Sequence, residues 1–148
     1  MGQLSKFLFL PGADRRLLIK VFLLVWIVRV GLWLLPFPTV RQLLRGVARG
    51  RSGSKSEERS SVERLVWAVK VSTRYVPAAT CLTQALVTKA LLSRSGHHAT
   101  VRIGVARSEA GQFQAHAWVE NDGSVVIGGA ESLLKTYTLL LVSDGELL

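Results

Sequence analysis

The chain has 148 residues and a single cysteine, Cys81, so no internal disulfide framework can hold it together. One cysteine and three histidines are too few soft ligands for a closed zinc site, and His97 and His98 are adjacent rather than spaced as a ligand pair. No Gly-rich loop ending in G-K-S/T is present, which removes the usual phosphate cradle. No metal and no cofactor are therefore expected. A chain without disulfides suits a reducing compartment, so the expected location is cytoplasmic. Acidic residues are also scarce: ten Asp and Glu face 19 Lys and Arg, a net charge of +9. The imbalance is local. Residues 1–60 carry 11 basic and 3 acidic side chains, whereas residues 61–148 carry 8 and 7. Apolar residues make up 49% before the 13 glycines are added, which excludes a disordered chain and leaves apolar surface beyond a core.

Leu17 to Phe37 reads LLIKVFLLVWIVRVGLWLLPF, an apolar helix former interrupted by Lys20 and Arg29. The uncharged run between those two is Val21–Val28, far short of the ~20 residues of a membrane span, and a central Arg costs ~2.5–3.5 kcal/mol. No small-residue cleavage pattern follows it, and Lys6 stands where a myristoylation signal has Ser or Thr. Three readings stay open: a core helix, a docking helix for a partner protein, or membrane-surface contact through Lys6, Arg15, Arg16, Arg41, Arg45 and Arg49 with the tryptophans. Asp14 suits the helix start, and Pro36 and Pro38 should end or kink it. Thr39–Arg49 can form one more amphipathic helix. Gly50–Ser60, GRSGSKSEERS, has no apolar residue and reads as a flexible linker. Nucleic acid is not expected as a partner, because Trp26 and Trp33 lie inside the apolar run rather than among the arginines. The organisation is thus a helical segment 1–49, a linker 50–60 and a core 61–148.

The second half starts with helices. Ser60 and Glu63 form a capping-box pattern ahead of Val62, Leu65, Val66 and Val69, and Pro77 bounds that helix. Thr80 is an N-cap candidate for a helix through Ser93 that stops at Gly96. From His98 the period changes to two. Val101–Val105, Phe113–Glu120, Val125–Ile127 and Tyr137–Val142 read as strands, with Asn121-Asp122-Gly123 as a hairpin turn. Helices first and strands afterwards indicate an α+β fold with a small antiparallel sheet.

Cys81 falls on the first position of its helix. A lone cysteine in an apolar helix is commonly a small core residue. A helix N-terminus, however, favours a thiolate and offers N–H groups to a developing oxyanion. A nucleophile also needs a base, and the candidate is His116 in QFQAHAWVEN. Alternation puts Gln114, His116, Trp118 and Glu120 on one face of that strand and Phe113, Ala115, Ala117 and Val119 on the other.

CLTQALVTKALLSRSGHHATVRIGV together with FQAHAWVEN resembles the transglutaminase-like cysteine-peptidase superfamily, whose core is transglutaminase-like or papain-like. More closely it is similar to the lasso-peptide leader peptidases, the stand-alone peptidase half of the lasso B protein. PGADRRLLIKVFLLVWIVRVGLWLLPF also resembles the leucine-rich N-terminus of that family. The resemblance implies Cys81 as nucleophile and His116 as general base. It implies an Asp on the next strand, about a dozen residues on, where this chain has Ile127, Gly128 and Gly129. If the hairpin turns at Asp122-Gly123, His116 sits opposite Gly129, and Asp122 is too far along the strand. Glu131, a backbone carbonyl or water is left to orient the imidazole. The Cys81 N–H is one oxyanion donor, with Thr80 and Gln84 as candidates for the second.

By resemblance the chain removes the leader from a ribosomally made lasso precursor peptide. A separate leader-recognition protein and an asparagine-synthetase-like cyclase would be its partners, docking on the apolar N-terminal helices. The alternatives are an acyltransferase using the same dyad and a non-enzymatic protein that binds a membrane or a partner.

Overall fold

A computed structural model describes residues 5, 6, 8–49 and 61–144. The expected linker, Gly50–Ser60, lies outside the described residues. Helix α1 spans Gly12–Leu34 and turns Leu18, Val21, Val25 and Val28 inward, a spacing of three and four that defines one helical stripe. Its opposite side stays exposed, so the core-helix reading holds for one face only. Asp14, expected only to complement the helix dipole, pairs with Arg64 at 2.6 Å and ties the start of α1 to the next layer.

Leu35 is extended and ends α1, as expected from Pro36. Pro38 does not end a helix. It sits in the first turn of α2, Phe37–Arg49, where a missing N–H has no intrahelical partner to lose. Helix α2 buries Val40 and Leu44. Helix α3, Val62–Thr73, is capped by Ser61 rather than Ser60: its hydroxyl accepts the Arg64 N–H at 3.2 Å. The cap thus falls one residue later than the sequence pattern indicated, and the helix still ends well before Pro77. Helix α4, Cys81–Arg94, has the expected Thr80 cap, which accepts the Thr83 N–H at 3.3 Å. It stops at Gly96, whose φ of 78° is left-handed backbone suited to glycine.

The chain then forms β1 (Ala99–Arg107), β2 (Phe113–Asn121), β3 (Ser124–Ile127), a short α5 (Glu131–Leu134) and β4 (Thr138–Asp144). The sheet is antiparallel with order β3-β2-β1-β4. Asp122 and Gly123 both have positive φ, 48° and 81°, which is the two-residue hairpin geometry anticipated for Asn121-Asp122-Gly123. The inner face presents Ala99, Val101, Ala117, Val119 and Ile127 to a single buried cluster shared with α1, α2, α3 and α4. The result is an α+β fold: helices α1 to α4 on one face of a four-stranded antiparallel sheet.

Helix α4 is the element that every layer meets. It buries Thr83, Ala85, Leu86, Val87, Thr88, Ala90 and Leu92, leaving little of its circumference free. Leu92 is fully enclosed. Leu92→Ala should lower unfolding free energy by ~2–5 kcal/mol, read from the midpoint of a urea titration at unchanged slope.

Candidate active site

Thr80 sets the local geometry at Cys81. Its hydroxyl caps the helix and lies 3.2 Å from the Thr83 hydroxyl, while its carbonyl accepts the Gln84 N–H. The N–H groups of Cys81 and Leu82 have no acceptor among the described residues. Two adjacent backbone donors thus stand at a positive helix end beside the half-buried sulfur. Both side chains expected to supply a second oxyanion donor already make hydrogen bonds: Thr80 accepts at the cap, and the Gln84 amide donates to Thr73 Oγ1 at 3.2 Å. Leu82 N–H is a backbone donor in the same place. It could have been found from the rule that the first turn of any helix leaves its N–H groups unpaired.

His116 lies on β2, half-buried, with its ring 6.4 Å from that of Trp118 and 5.7 Å from that of Tyr137. Its Nε2 is hydrogen-bonded to the Gly128 carbonyl. A carbonyl oxygen only accepts, so Nε2 carries the proton and, in the neutral ring, Nδ1 is left as the acceptor. The group that orients the imidazole is therefore a backbone carbonyl. Glu131 opens α5, and its side chain lies outside what the structure describes.

Asn121 pairs with Ser124 as expected, but a bulge between Val119 and Glu120 shifts the pairing so that Val119 meets Ile127. In the shifted register Gly128 lies against Trp118, and its carbonyl takes the contact with the neighbouring His116 ring. Gly128 has φ of 110°, and a Cβ there would lie 2.5 Å from the Trp118 Cβ. Only glycine lets this backbone pass so close to β2.

Cys81 and His116 do not share a face of the sheet. Pairing of β1 with β2 is unbroken from Ala99–Asn121 to Arg107–Phe113, so strict alternation holds. Ala117 and Val119 face the helices, and His116, Trp118 and Glu120 face the other way. Cys81 packs against the helix-side cluster. No hydrogen bond joins its sulfur to the His116 ring among the described residues.

The outer face beside His116 carries an open depression of about 330 Å³, lined in part by Arg102, Trp118, Glu120, Lys135 and Tyr137. Glu120 holds its floor, accepting from Arg102 Nε at 2.7 Å and from Trp118 Nε1 at 3.1 Å. Tyr137 and the Arg102–Glu120 pair were not singled out by the sequence reading. The alternation of β1 against β2 was the available signal, since it sets Arg102 across from Trp118 and beside Glu120.

Residues 24–142 match the family model described as the transglutaminase-like superfamily, Transglut_core3. The match covers most of the chain, from within α1 into β4, and the chain belongs to that superfamily. No curated protein and no solved structure matches the chain significantly.

Gly128→Ala should separate the two demands on that position. Its positive φ alone costs ~1–3 kcal/mol in a non-glycine residue, and the clash with Trp118 adds to it. Gly129→Ala, whose Cβ would have 3.9–4.0 Å to its nearest neighbours, should bear the backbone cost alone. Thermal unfolding should therefore rank Gly128→Ala well below Gly129→Ala.

Proposed function

We propose that this chain is a cysteine peptidase that removes the leader from a lasso-type precursor peptide. Its superfamily consists typically of cysteine-dependent enzymes of peptidase or acyltransferase type. The observation that carries the reading is the position of Cys81, the only cysteine, as the first residue of a capped helix with two unused N–H groups beside it. The narrower specificity is supported by the similarity of the Cys81 helix, the FQAHAWVEN strand and the leucine-rich N-terminus to lasso leader peptidases.

In this reading Nδ1 of His116 takes the Cys81 thiol proton, and the thiolate attacks the carbonyl carbon of the last leader residue. The resulting oxyanion is held by the Cys81 and Leu82 N–H groups. The C–N bond breaks as His116 gives its proton to the departing core amine, leaving the leader as a thioester on Cys81. Water, deprotonated by His116, then attacks the thioester, and the leader leaves as a carboxylic acid. Nδ1 is the ring nitrogen that handles these protons, because Nε2 is held by Gly128. Chemistry requires Nδ1 and the sulfur to come within hydrogen-bond reach, so the reading includes an approach of the helix start and β2 when substrate and partners bind. The partners are a separate leader-recognition protein and an asparagine-synthetase-like cyclase, acting with this chain in the cytoplasm. An amide-forming acyltransferase shares the first half of this sequence and differs in the second nucleophile.

Cys81→Ala and His116→Ala should each abolish leader release by the full chain mixed with precursor and the leader-recognition protein, followed by mass spectrometry. The double variant should lose little more, as for residues that act as a unit. Near-normal cleavage by Cys81→Ala would sink the peptidase reading, and an amide-linked product in place of the leader acid would convert it to the acyltransferase. Alkylation of Cys81 in the full chain mixed with precursor and the leader-recognition protein should slow several-fold in His116→Ala, with equal rates after denaturation. Unchanged native rates would remove His116 from the base role.

A further inference from the structure

The chemistry above leaves the outward face of α1 unused. Leu18, Val21, Val25 and Val28 pack inward, and the Asp14–Arg64 pair holds the helix down. On the opposite side Leu23, Trp26, Ile27, Val30, Trp33 and Leu34 are exposed, Trp33 by 78%. At 100° per residue these six fall within one contiguous stripe. Arg15, Arg16 and Lys20 are exposed on the same side, one turn closer to the helix start. Among residues 8–49 Asp14 is the one acidic side chain, and it is paired away from this face.

A protein interface carries roughly one hydrogen bond per 100–200 Å² and a polar rim. From Leu23 to Leu34 this face offers no polar side-chain group other than the indole N–H groups. An anionic bilayer surface has the matching chemistry. Acyl chains take the apolar stripe, the headgroup level suits tryptophan, and phosphates take the cations. Crossing the bilayer would require stripping α1 from the core it buries and placing Arg29 at mid-depth, so the helix must lie in the plane. We infer that α1 seats the folded protein on an anionic lipid surface, its Leu23–Leu34 stripe in the acyl boundary and Arg15, Arg16 and Lys20 on the phosphates. This inference does not depend on what Cys81 does.

The test is sedimentation of the full chain with vesicles of pure phosphatidylcholine and with vesicles in which about a third is phosphatidylglycerol. The full chain should pellet with the anionic vesicles only, with a blue shift in tryptophan emission, and should be released by salt or alkaline carbonate. Arg15→Gln, Arg16→Gln and Lys20→Gln together should weaken partitioning about a hundredfold. Trp33→Ser, at a side chain exposed enough to leave folding intact, should weaken it without changing its salt dependence. Equal binding to both vesicle types, or none to either, would overturn the inference. Resistance to carbonate would replace it with a spanning helix. A dimer that forms without lipid and is broken by Trp33→Ser would assign the stripe to a second copy, and loss of vesicle binding when the leader-recognition protein is added would assign it to a protein.

Discussion

The burial of α4 is the constraint on which the rest of the molecule rests. Seven of its fourteen residues are buried, and they point in several directions rather than along one stripe. A helix of that kind is stable only when covered on more than one side. Helices α1, α2 and α3 and the inner face of the sheet supply that cover, and the cluster they form is continuous. Cys81, itself packed at the edge of that cluster, is placed by this arrangement: Thr80 fixes where the helix begins, and the packing of α4 fixes where that beginning points. Two buried hydroxyls lie along the same helix. The Thr83 hydroxyl lies 3.2 Å from the Thr80 hydroxyl at the cap, whereas Thr88 Oγ1 finds no partner among the described residues.

The carbonyl that orients His116 has consequences that a carboxylate would not. Both accept from Nε2 and fix which nitrogen is free. A carboxylate also carries a charge, and a charge-assisted bond is about twice as strong and favours the protonated ring. The Gly128 carbonyl supplies orientation and a dipole but no net charge. Glycine at position 128 is what permits the contact, since any side chain there would collide with Trp118.

Most of the architecture was legible because it follows from local rules. Thr80 and Gly96 bracket α4 by capping chemistry, Asn121-Asp122-Gly123 specifies its own turn, and the switch from period 3.6 to period 2 at His98 marks where helices give way to strands. The alternation of β2 also assigned His116, Trp118 and Glu120 to a common face. What could not be read is non-local or degenerate. Ser60 and Ser61 are equally good caps by residue type. The bulge between Val119 and Glu120 carries no sequence mark, so the β2–β3 register beyond it could not be counted from the turn. Which face of the sheet the helices would cover was likewise open, because both faces of β2 carry large apolar or aromatic side chains.

That last ambiguity bears on how the proposed dyad could close. A one-residue slip of β2 would turn His116 toward Cys81, since it exchanges the two faces of a strand. The same slip would drive Trp118 and Glu120 toward the apolar core, part Glu120 from Arg102 on β1, and push Val119 and Ala117 out. Burying a charge without its partner costs several kcal/mol and would forfeit the core contacts as well. The sheet is therefore the rigid party. The connection from Arg74 to Ala79 is mostly exposed, and Ala78 sits at φ of 56°, a conformation that non-glycine residues seldom hold. Movement there would shift the first turn of α4 while leaving Ala85 to Leu92 in place. Closure of a Cys81–His116 pair is thus cheaper from the helix start around the end of the sheet, past exposed Phe113 to Ala115, than through the sheet itself.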